Sequence, residues 1–466
     1  MKSLLQKTSI VLAVVAGVCV SVQAKVVGQN TPVLSLTAER VKATLPVAQQ
    51  AAWLAYLDRS AKQEAADRAA FAAEMKVAGV KEPWMPKEGF SSRTMPLDLV
   101  AAWYGSDEAL KVADVIVSFQ IPNGGWSKNL DMRQPTRVPG ENYTADNLSK
   151  YPDADDFDAP RDPHWNYVGT LDNDATNTEL KFLRLVIAAL PAEKSAAYRA
   201  SYLRGIEYLL AAQYPNGGWP QVWTLEGGYH DAITFNDDAV TESLEVLEPV
   251  AEGKVSFVPK DTRKLAQHAF ARGVQCILAT QIVLDKKKTV WGQQHDALTL
   301  QPVAGRNFEM PAMSSGESAS VLLFLMQLPK PSRAVIAAVD AGAAWFKETA
   351  VYGYEWGYAW GGTRAEGRHL TKAPNAGPIW ARYYSITTEM PVFGDRDKTI
   401  HDDVSELSLE RQNGYAWYNS DGAEMLTKYA VWARKVHPAG PSNSQSPILT
   451  PQEPRIQMAT PQFPGM

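Results

Sequence analysis

Residues 109–126 read "ALKVADVIVSFQIPNGGW" and residues 204–219 read "RGIEYLLAAQYPNGGW". Each is an apolar helical run ending in Gln, one apolar residue and then Pro-Asn-Gly-Gly-Trp. Proline cannot continue the helix and glycine supplies turn conformations closed to other residues, so both stretches read as helix, sharp turn, aromatic. Pro122 and Pro215 lie 93 positions apart. A degenerate third copy, "GVQCILATQIVLDKKKTVWGQQHD" (273–296), has Gln281 followed later by Trp291-Gly292. A helix and Gly-aromatic loop that recur with helices between them predict stacked helical hairpins. The natural closed form is an α/α toroid with its loops gathered at one end.

The stretches between the repeats agree. "LKFLRLVIAAL" (180–190) puts Leu180, Leu183, Val186, Ile187 and Leu190 on one helical face, and "SAAYRASYLRGIEYLLAAQ" (195–213) does the same with Tyr198, Tyr202, Ile206 and Leu209. "AAWLAYLDRSAKQEAADRAAFAAEMKVAG" (51–79) is one long helix stopped near Gly79. Alternating strand patterns are scarce. The expected fold is therefore mainly α, an incomplete barrel of helical hairpins over 86–436 with a small N-terminal helical segment over 25–85. Residues 437–466 are rich in Pro, Ser and Gln without apolar period, and are expected to be a disordered tail.

The first 24 residues carry Lys2 and Lys7, the apolar "SIVLAVVAGVCV" (9–20) and small residues ahead of a cut after Ala24. This is the pattern of a bacterial secretory leader, so the expected destination is the periplasm or the exterior. No later stretch supplies about 18 uninterrupted apolar residues, so no membrane association is expected after cleavage. Cleavage leaves Cys276 alone, most simply as a buried small apolar residue on a helix. The chain has 46 basic and 51 acidic residues, and losing two lysines takes the net charge from −5 to −7. That balance has no nucleic-acid footprint. An anionic substrate would need a locally positive cleft or a bound metal. A monomer is expected.

No G-x-S-x-G, H-E-x-x-H, Walker A or paired C-x-x-C motif occurs. His230 and His295 could face a cleft or be structural. "TLDNDAT" (170–176) and "TFNDDAV" (234–240) each set Asp and Asn in a tight knot before Ala. One such knot reads as a helix cap. Two in matching order raise a second possibility, paired carboxylates for a hard cation. "PNGGWSKNLD" brings Trp126 and Lys128 together, and "PNGGWPQVW" brings Trp219, Gln221 and Trp223 together. A single Trp of this kind usually packs, whereas the group, with 14 Trp in the chain, suits a carbohydrate cleft. Arg306, Arg382 and Arg396 are either surface ion-pair partners or guanidinium forks for carboxylates.

In order along the chain, "PNGGWSK", "TLDNDATNTEL", "YPNGGWPQVW", "YHDAITFNDDAV", "WGQQHD", "WARYYSI" and "FGDRDKTIHDDVSELSLERQNGYAWY" resemble the family 10 polysaccharide lyases, which are pectate lyases. The resemblance runs from about Ala51 to Trp432. It implies an α/α toroid, Ca²⁺-assisted β-elimination of polygalacturonate to 4,5-unsaturated oligogalacturonides, and an arginine base. Carried over by motif, Asp172 and Asp237 become calcium ligands and Asn173 a contact to metal or substrate. Asp174 and Asp238, at more variable positions of the same motifs, are expected to join them at the metal. Arg306, in "RNFEMP", becomes the base, and Arg382 and Arg396 bind substrate. Lys128, His230 and Trp219 complete the expected substrate contacts. Lys398 departs from the family's pattern, where glycine is usual, and bears on the local turn. Two other readings fit the same residues: an inverting glycoside hydrolase using Asp172 and Asp237, and a Ca²⁺-dependent pectin-binding protein without turnover.

Overall fold

A computed structural model of the protein describes residues 25–149, 155–358 and 362–437. The expected leader lies outside the described residues, as does the expected tail beyond His437. Twelve α-helices are described, with short 3-10 turns between them: α1 Ala38–Thr44, α2 Val47–Ala78, α3 Ser91–Thr94, α4 Asp107–Ser118, α5 Asn177–Ala189, α6 Ala196–Ala212, α7 Ala239–Ala251, α8 Lys260–Thr280, α9 Ser315–Gln327, α10 Arg333–Thr349, α11 Leu409–Gly414 and α12 Asp421–Val436. The described strands are no longer than four residues. Helices α4, α6, α8, α10 and α12 pack in succession as one row, while α5, α7 and α9 form a second row that α12 joins. The result is the helical toroid expected from the repeats.

The repeat is a joining device. Gln120, Gln213 and Gln281 each follow a row helix and are nearly inaccessible. Each side-chain amide donates twice: to a carbonyl of its own loop and to the next helix of the row. Gln120 Nε2 reaches Gly124 O at 2.8 Å and Ser201 O of α6 at 2.9 Å. Gln213 reaches Gly217 O at 2.9 Å and Ala269 O of α8 at 2.8 Å, and Gln281 reaches Thr289 O at 3.0 Å and Ala338 O of α10 at 2.9 Å. Each staple fixes a hairpin to its successor, which a surface residue in the same place could not do.

The tryptophans lock the other side of each loop. Trp126, Trp219, Trp291 and Trp380 are all 0% exposed. Their indole N–H groups donate to the helix-end carbonyls of Ile116, Leu209, Ile277 and Phe346 at 2.7 to 2.9 Å. These carbonyls lie in the last turn, where no backbone N–H of the helix reaches them, and at Ile277 the Thr280 hydroxyl donates as well, at 3.2 Å. Gly124 and Gly217 hold φ of +101° and +97°, and a Cβ there would lie 2.3 and 2.2 Å from the carbonyls of Arg204 and Arg272. Only glycine fits.

The N-terminal segment shares this core. Helix α2 ends at Gly79, with φ 71°. Trp53 stacks on Tyr214 with centroids 5.1 Å apart, and Tyr56 donates to Ala212 O at 2.9 Å. Cys276 is 2% exposed, and burial pushes its thiol up to about 12. Among the described residues no helix is long and apolar enough to cross a membrane.

Candidate active site

The two Asp-rich knots lie side by side where the loops leading into α5 and α7 converge. Neither helix receives a side-chain cap hydrogen bond. The capping reading therefore fails, and both segments instead turn through the left-handed region: Asn173, Asp174, Asp237 and Asp238 have φ of 52°, 61°, 48° and 55°. Such backbone costs about 1 kcal/mol or more per residue and persists where the surroundings enforce it. Here it turns the two residues of each pair in different directions. Asp172 and Asp237 line a cavity of about 220 Å³ together with Lys128, Asn173, Asn236, Arg306 and Arg382. Asp174 and Asp238 are not among its lining residues.

The two cavity carboxyls adjoin, and each shifts the other's protonation. Burial opposes the charge of Asp172, but Lys128, Asp237 and Arg306 outweigh it and hold its carboxyl well below the usual range. Burial and the adjoining Asp172 push Asp237 well above it. Asn173 N and Asn236 Nδ2 donate to Asp237 Oδ2 at 3.2 and 2.8 Å, and Lys128 Nζ lies 2.5 Å from Asp172 Oδ2. This pair, with the side-chain oxygens of asparagines beside it, suits an oxygen-liganded divalent cation. No described group of three acidic, His or Cys side chains could hold one alone, so the remaining ligands must be amide oxygens, water or substrate carboxylate. An inverting hydrolase would need its two carboxyls about 6.5 to 9.5 Å apart, with room for a water between them, whereas Asp172 and Asp237 adjoin closely enough to shift one another's protonation.

Three cations face the carboxyl pair. Lys128 also lies 3.4 Å over the ring of Tyr167. Arg306 Nη2 is 2.5 Å from Glu309, which is buried and receives Tyr415 Oη at 2.7 Å. Burial alone would lower the guanidinium, but the charge of Glu309 and its hydrogen bond keep Arg306 well above its ordinary value, although its side chain is 39% exposed to the cleft. Arg306 in turn holds Glu309 down at about 2 against burial. Arg382 Nη2 pairs with Glu317 at 2.6 Å and reaches Asn236 Oδ1 at 3.4 Å.

Other expected contacts lie elsewhere. Trp219 is in the core, and no Trp lines the cavity; the aromatic walls are Tyr167, Tyr229 and Tyr415. The Gly-Trp signal belonged to packing. Arg396 is held by Glu410 at 2.8 Å, outside the lining residues and beside the ring of Phe308. His230 lies behind the wall, with Nε2 2.9 Å from Tyr167 Oη and 3.5 Å from Asp158. Burial opposes its proton, but Asp158 and Glu226 raise it. His295 is structural: it accepts from Gly292 N at 3.0 Å, and burial takes it down to about 4. Sequence reasoning missed Asp158, Tyr167, Tyr229, Asn236, Gln293 and Tyr415, whose side chains converge from separate loops. A larger hollow of about 420 Å³ beside Met390 and Tyr418 has no Arg or Lys in its lining.

A helical toroid whose loop end gathers a carboxyl pair and three cations defines an enzyme class that acts on acidic polysaccharide. The chain matches the pectic acid lyase family over residues 120–426 and belongs to it, as a pectate lyase. A family 10 polysaccharide lyase from Cellvibrio cellulosa superposes with a TM-score of 0.59 at 29% identity, over 74% of this chain and 99% of that one. An alanine-for-aspartate variant of the Cellvibrio cellulosa enzyme, solved with trigalacturonic acid, gives 0.59 and 30%, over 74% and 100%. No curated protein matches the chain.

Proposed function

We propose that the chain is exported by its leader and cleaves polygalacturonate by Ca²⁺-assisted β-elimination, releasing 4,5-unsaturated oligogalacturonides. The observation that carries this is the cavity itself, where Asp172 and Asp237 face Lys128, Arg306 and Arg382. Removing the C5 proton of a galacturonate is hard because the neighbouring carboxylate is already negative. The site must neutralise that charge and stabilise the enediolate-like oxygens that develop. Asp172 and Asp237 would hold Ca²⁺, with Asn173 and Asn236 beside them, and the ion would supply Lewis-acid neutralisation of a substrate carboxylate.

The chain's own cations do the rest. Arg382 presents a fork to a carboxylate, and Lys128 adds a point charge. Arg306 takes the C5 proton. The C5 electron pair forms the C4–C5 double bond while the C4–O4 bond breaks, and O4 leaves with the remaining chain and takes a proton from water. A base must first be unprotonated, and Glu309 holds the charge on Arg306, so the competent fraction grows with pH and the rate should climb toward alkaline pH. The same cavity in a binding protein would hold oligogalacturonate without ultraviolet-absorbing product.

Arg306→Ala and Arg306→Lys decide the assignment. As a base, Arg306 should lose the roughly 10²- to 10⁴-fold typical of a positioned acid or base in both variants, with oligogalacturonate binding only modestly weaker. As a carboxylate clamp, Arg306→Lys should raise KM with kcat largely kept. Single-turnover rates beside measured Kd separate the two, and a wild-type rate in Arg306→Ala sinks the base.

A further inference from the structure

The segment following the expected leader runs across the molecule to the turn that carries Arg306. Strand Val26–Gln29 pairs antiparallel with Thr399–His401, placing Gly28 opposite Ile400 and Gln29 opposite Thr399. Its start is tied down where Lys25 N donates to Glu406 at 3.0 Å and Lys25 Nζ pairs with Asp402. Its end delivers Asn30, whose backbone N–H donates to Lys398 O at 2.7 Å. Asn30 is 4% exposed. Its Oδ1 accepts Thr31 N at 3.0 Å, which fixes the orientation of the side-chain amide. Its Nδ2 then donates to two successive carbonyls, Arg306 O at 3.2 Å and Asn307 O at 2.9 Å.

Within the turn, Gly305 N donates to Glu309 O at 2.9 Å and Arg306 N to Glu309 Oε2 at 2.8 Å, so the turn is closed on itself and Asn30 is what ties the Arg306 carbonyl to the N-terminal strand. Glu309 N also closes the turn on Arg306 O at 2.8 Å, and the Asn307 side chain ties it to Phe157 N and Arg396 O at 2.9 and 3.0 Å. The Arg306 side chain leaves this turn for the cleft and is itself partly exposed. A backbone shift at its carbonyl therefore displaces the guanidinium relative to Glu309, which holds both its backbone N–H and its Nη2. Residues 25–30 also lie outside those matching the family, 120–426.

We propose that Asn30 is a positioning residue for Arg306: the N-terminal strand carries its amide to the turn and fixes the point from which Arg306 enters the cleft. This rests on the proposed role of Arg306 at the substrate. Two donated bonds are a small part of a core of this size, so their loss should leave the fold. Misplacing a catalytic group by about 1 Å, in contrast, can cost on the order of 100-fold in rate.

The test uses the full chain with Asn30→Asp, which keeps the bond to Thr31 but turns two donated bonds into oxygen–oxygen repulsion. Asn30→Ala is read beside it and carries the test should the charged variant fail to fold. Gln29→Ala, which loses an exposed bond to Asp397 O, is the control for loosening the strand. The expected result is a kcat on polygalacturonate lower by about 10- to 100-fold in both Asn30 variants. Trigalacturonate Kd should stay within about twofold, Gln29→Ala should be close to wild type, and Asn30→Asp should cause no further loss in an Arg306→Ala background. Wild-type kcat in folded Asn30→Asp and Asn30→Ala, beside a crippled Arg306→Ala, overturns this inference alone. So does an equal loss with and without Arg306, which would mean that Asn30 acts on the whole fold. An unimpaired Arg306→Ala overturns the role of Arg306 and this inference together.

Discussion

Asp172 and Asp174 stand two positions apart on one turn and should behave differently. Asp172 lines the cavity and is held ionised among cations, whereas Asp174 is absent from the lining and its carboxyl is raised, chiefly by burial. Removing Asp172 takes away the charged member of the pair that faces substrate. Asp172→Ala should therefore lose about 100-fold or more in kcat, the scale of a lost electrostatic stabiliser, and Asp174→Ala no more than a few-fold. Equal losses would mean that the turn as a whole, and not the Asp172 carboxylate, matters. A different acid links stability to pH. Glu179, at the start of α5, is fully buried, and burial raises it from 4.5 to about 8 against the weaker pull of the backbone at Glu179 and Thr176. At Glu179 the folded state thus binds more protons than the unfolded chain between those values, and this group's contribution to stability is lost as pH rises from about 4.5 to about 8. Glu179→Gln should flatten the fall of Tm across that window relative to wild type. Parallel Tm-against-pH curves for the two proteins would dismiss Glu179 as a source.

At the scale of the element, the glutamine staples explain how far the sequence could be read. Gln, Pro, Asn, Gly and Trp sit within a few positions of one another, so the loop's chemistry is local and the hairpins were legible even in the third, degenerate copy. The cleft was legible only where a motif is also local. Asp172 and Asp237 stood out because each belongs to a seven-residue knot, but Tyr167, Tyr229 and Tyr415 carry no such signature. The bonds from Asn30 to Arg306 and Asn307 span 276 and 277 positions, so no spacing in the sequence could announce them. Trp219 was misleading for a physical reason: indole serves sugar stacking and packing equally, and only the carbonyl of Leu209 shows which. The staples also rank themselves. Gln213 Oε1 accepts from Arg272, while Gln281 Oε1 is buried without a partner. Gln213→Ala should cost about 2–4 kcal/mol, since a charged donor and two carbonyls lose their partner, and Gln281→Ala less. Urea unfolding of the two variants checks the order; a larger cost at Gln281 would mean that the staples are not what joins the row.

For the whole molecule, the question is whether cation and fold stand or fall together. Buried side chains from Val41 to Trp432 form one large apolar cluster, with a smaller one around Phe71 and Tyr143, and both are built from apolar packing alone. The proposed ligands sit at the edge of the larger one, on turns whose unusual backbone is held by Thr170, Trp126 and the strand pairing of Thr234 with Gln294. Removing an ion from such a place withdraws only its binding free energy, about 2.7 kcal/mol when it is present at a hundred times its Kd. In a chain this long that is a shift in Tm of a few degrees at most. Chelation should therefore abolish polygalacturonate cleavage while circular dichroism and Tm stay near their starting values, and added Ca²⁺ should restore the rate. Mg²⁺ should not, because it demands near-ideal octahedral geometry at shorter distances and gives up its waters reluctantly, whereas this site offers two carboxyls and leaves the rest of the shell to substrate and water. Full activity in excess chelator would leave the developing enediolate to Lys128, Arg306 and Arg382, the cations that line the cavity among the described residues. Loss of the fold on chelation would instead make the ion a structural member of the toroid's loop end.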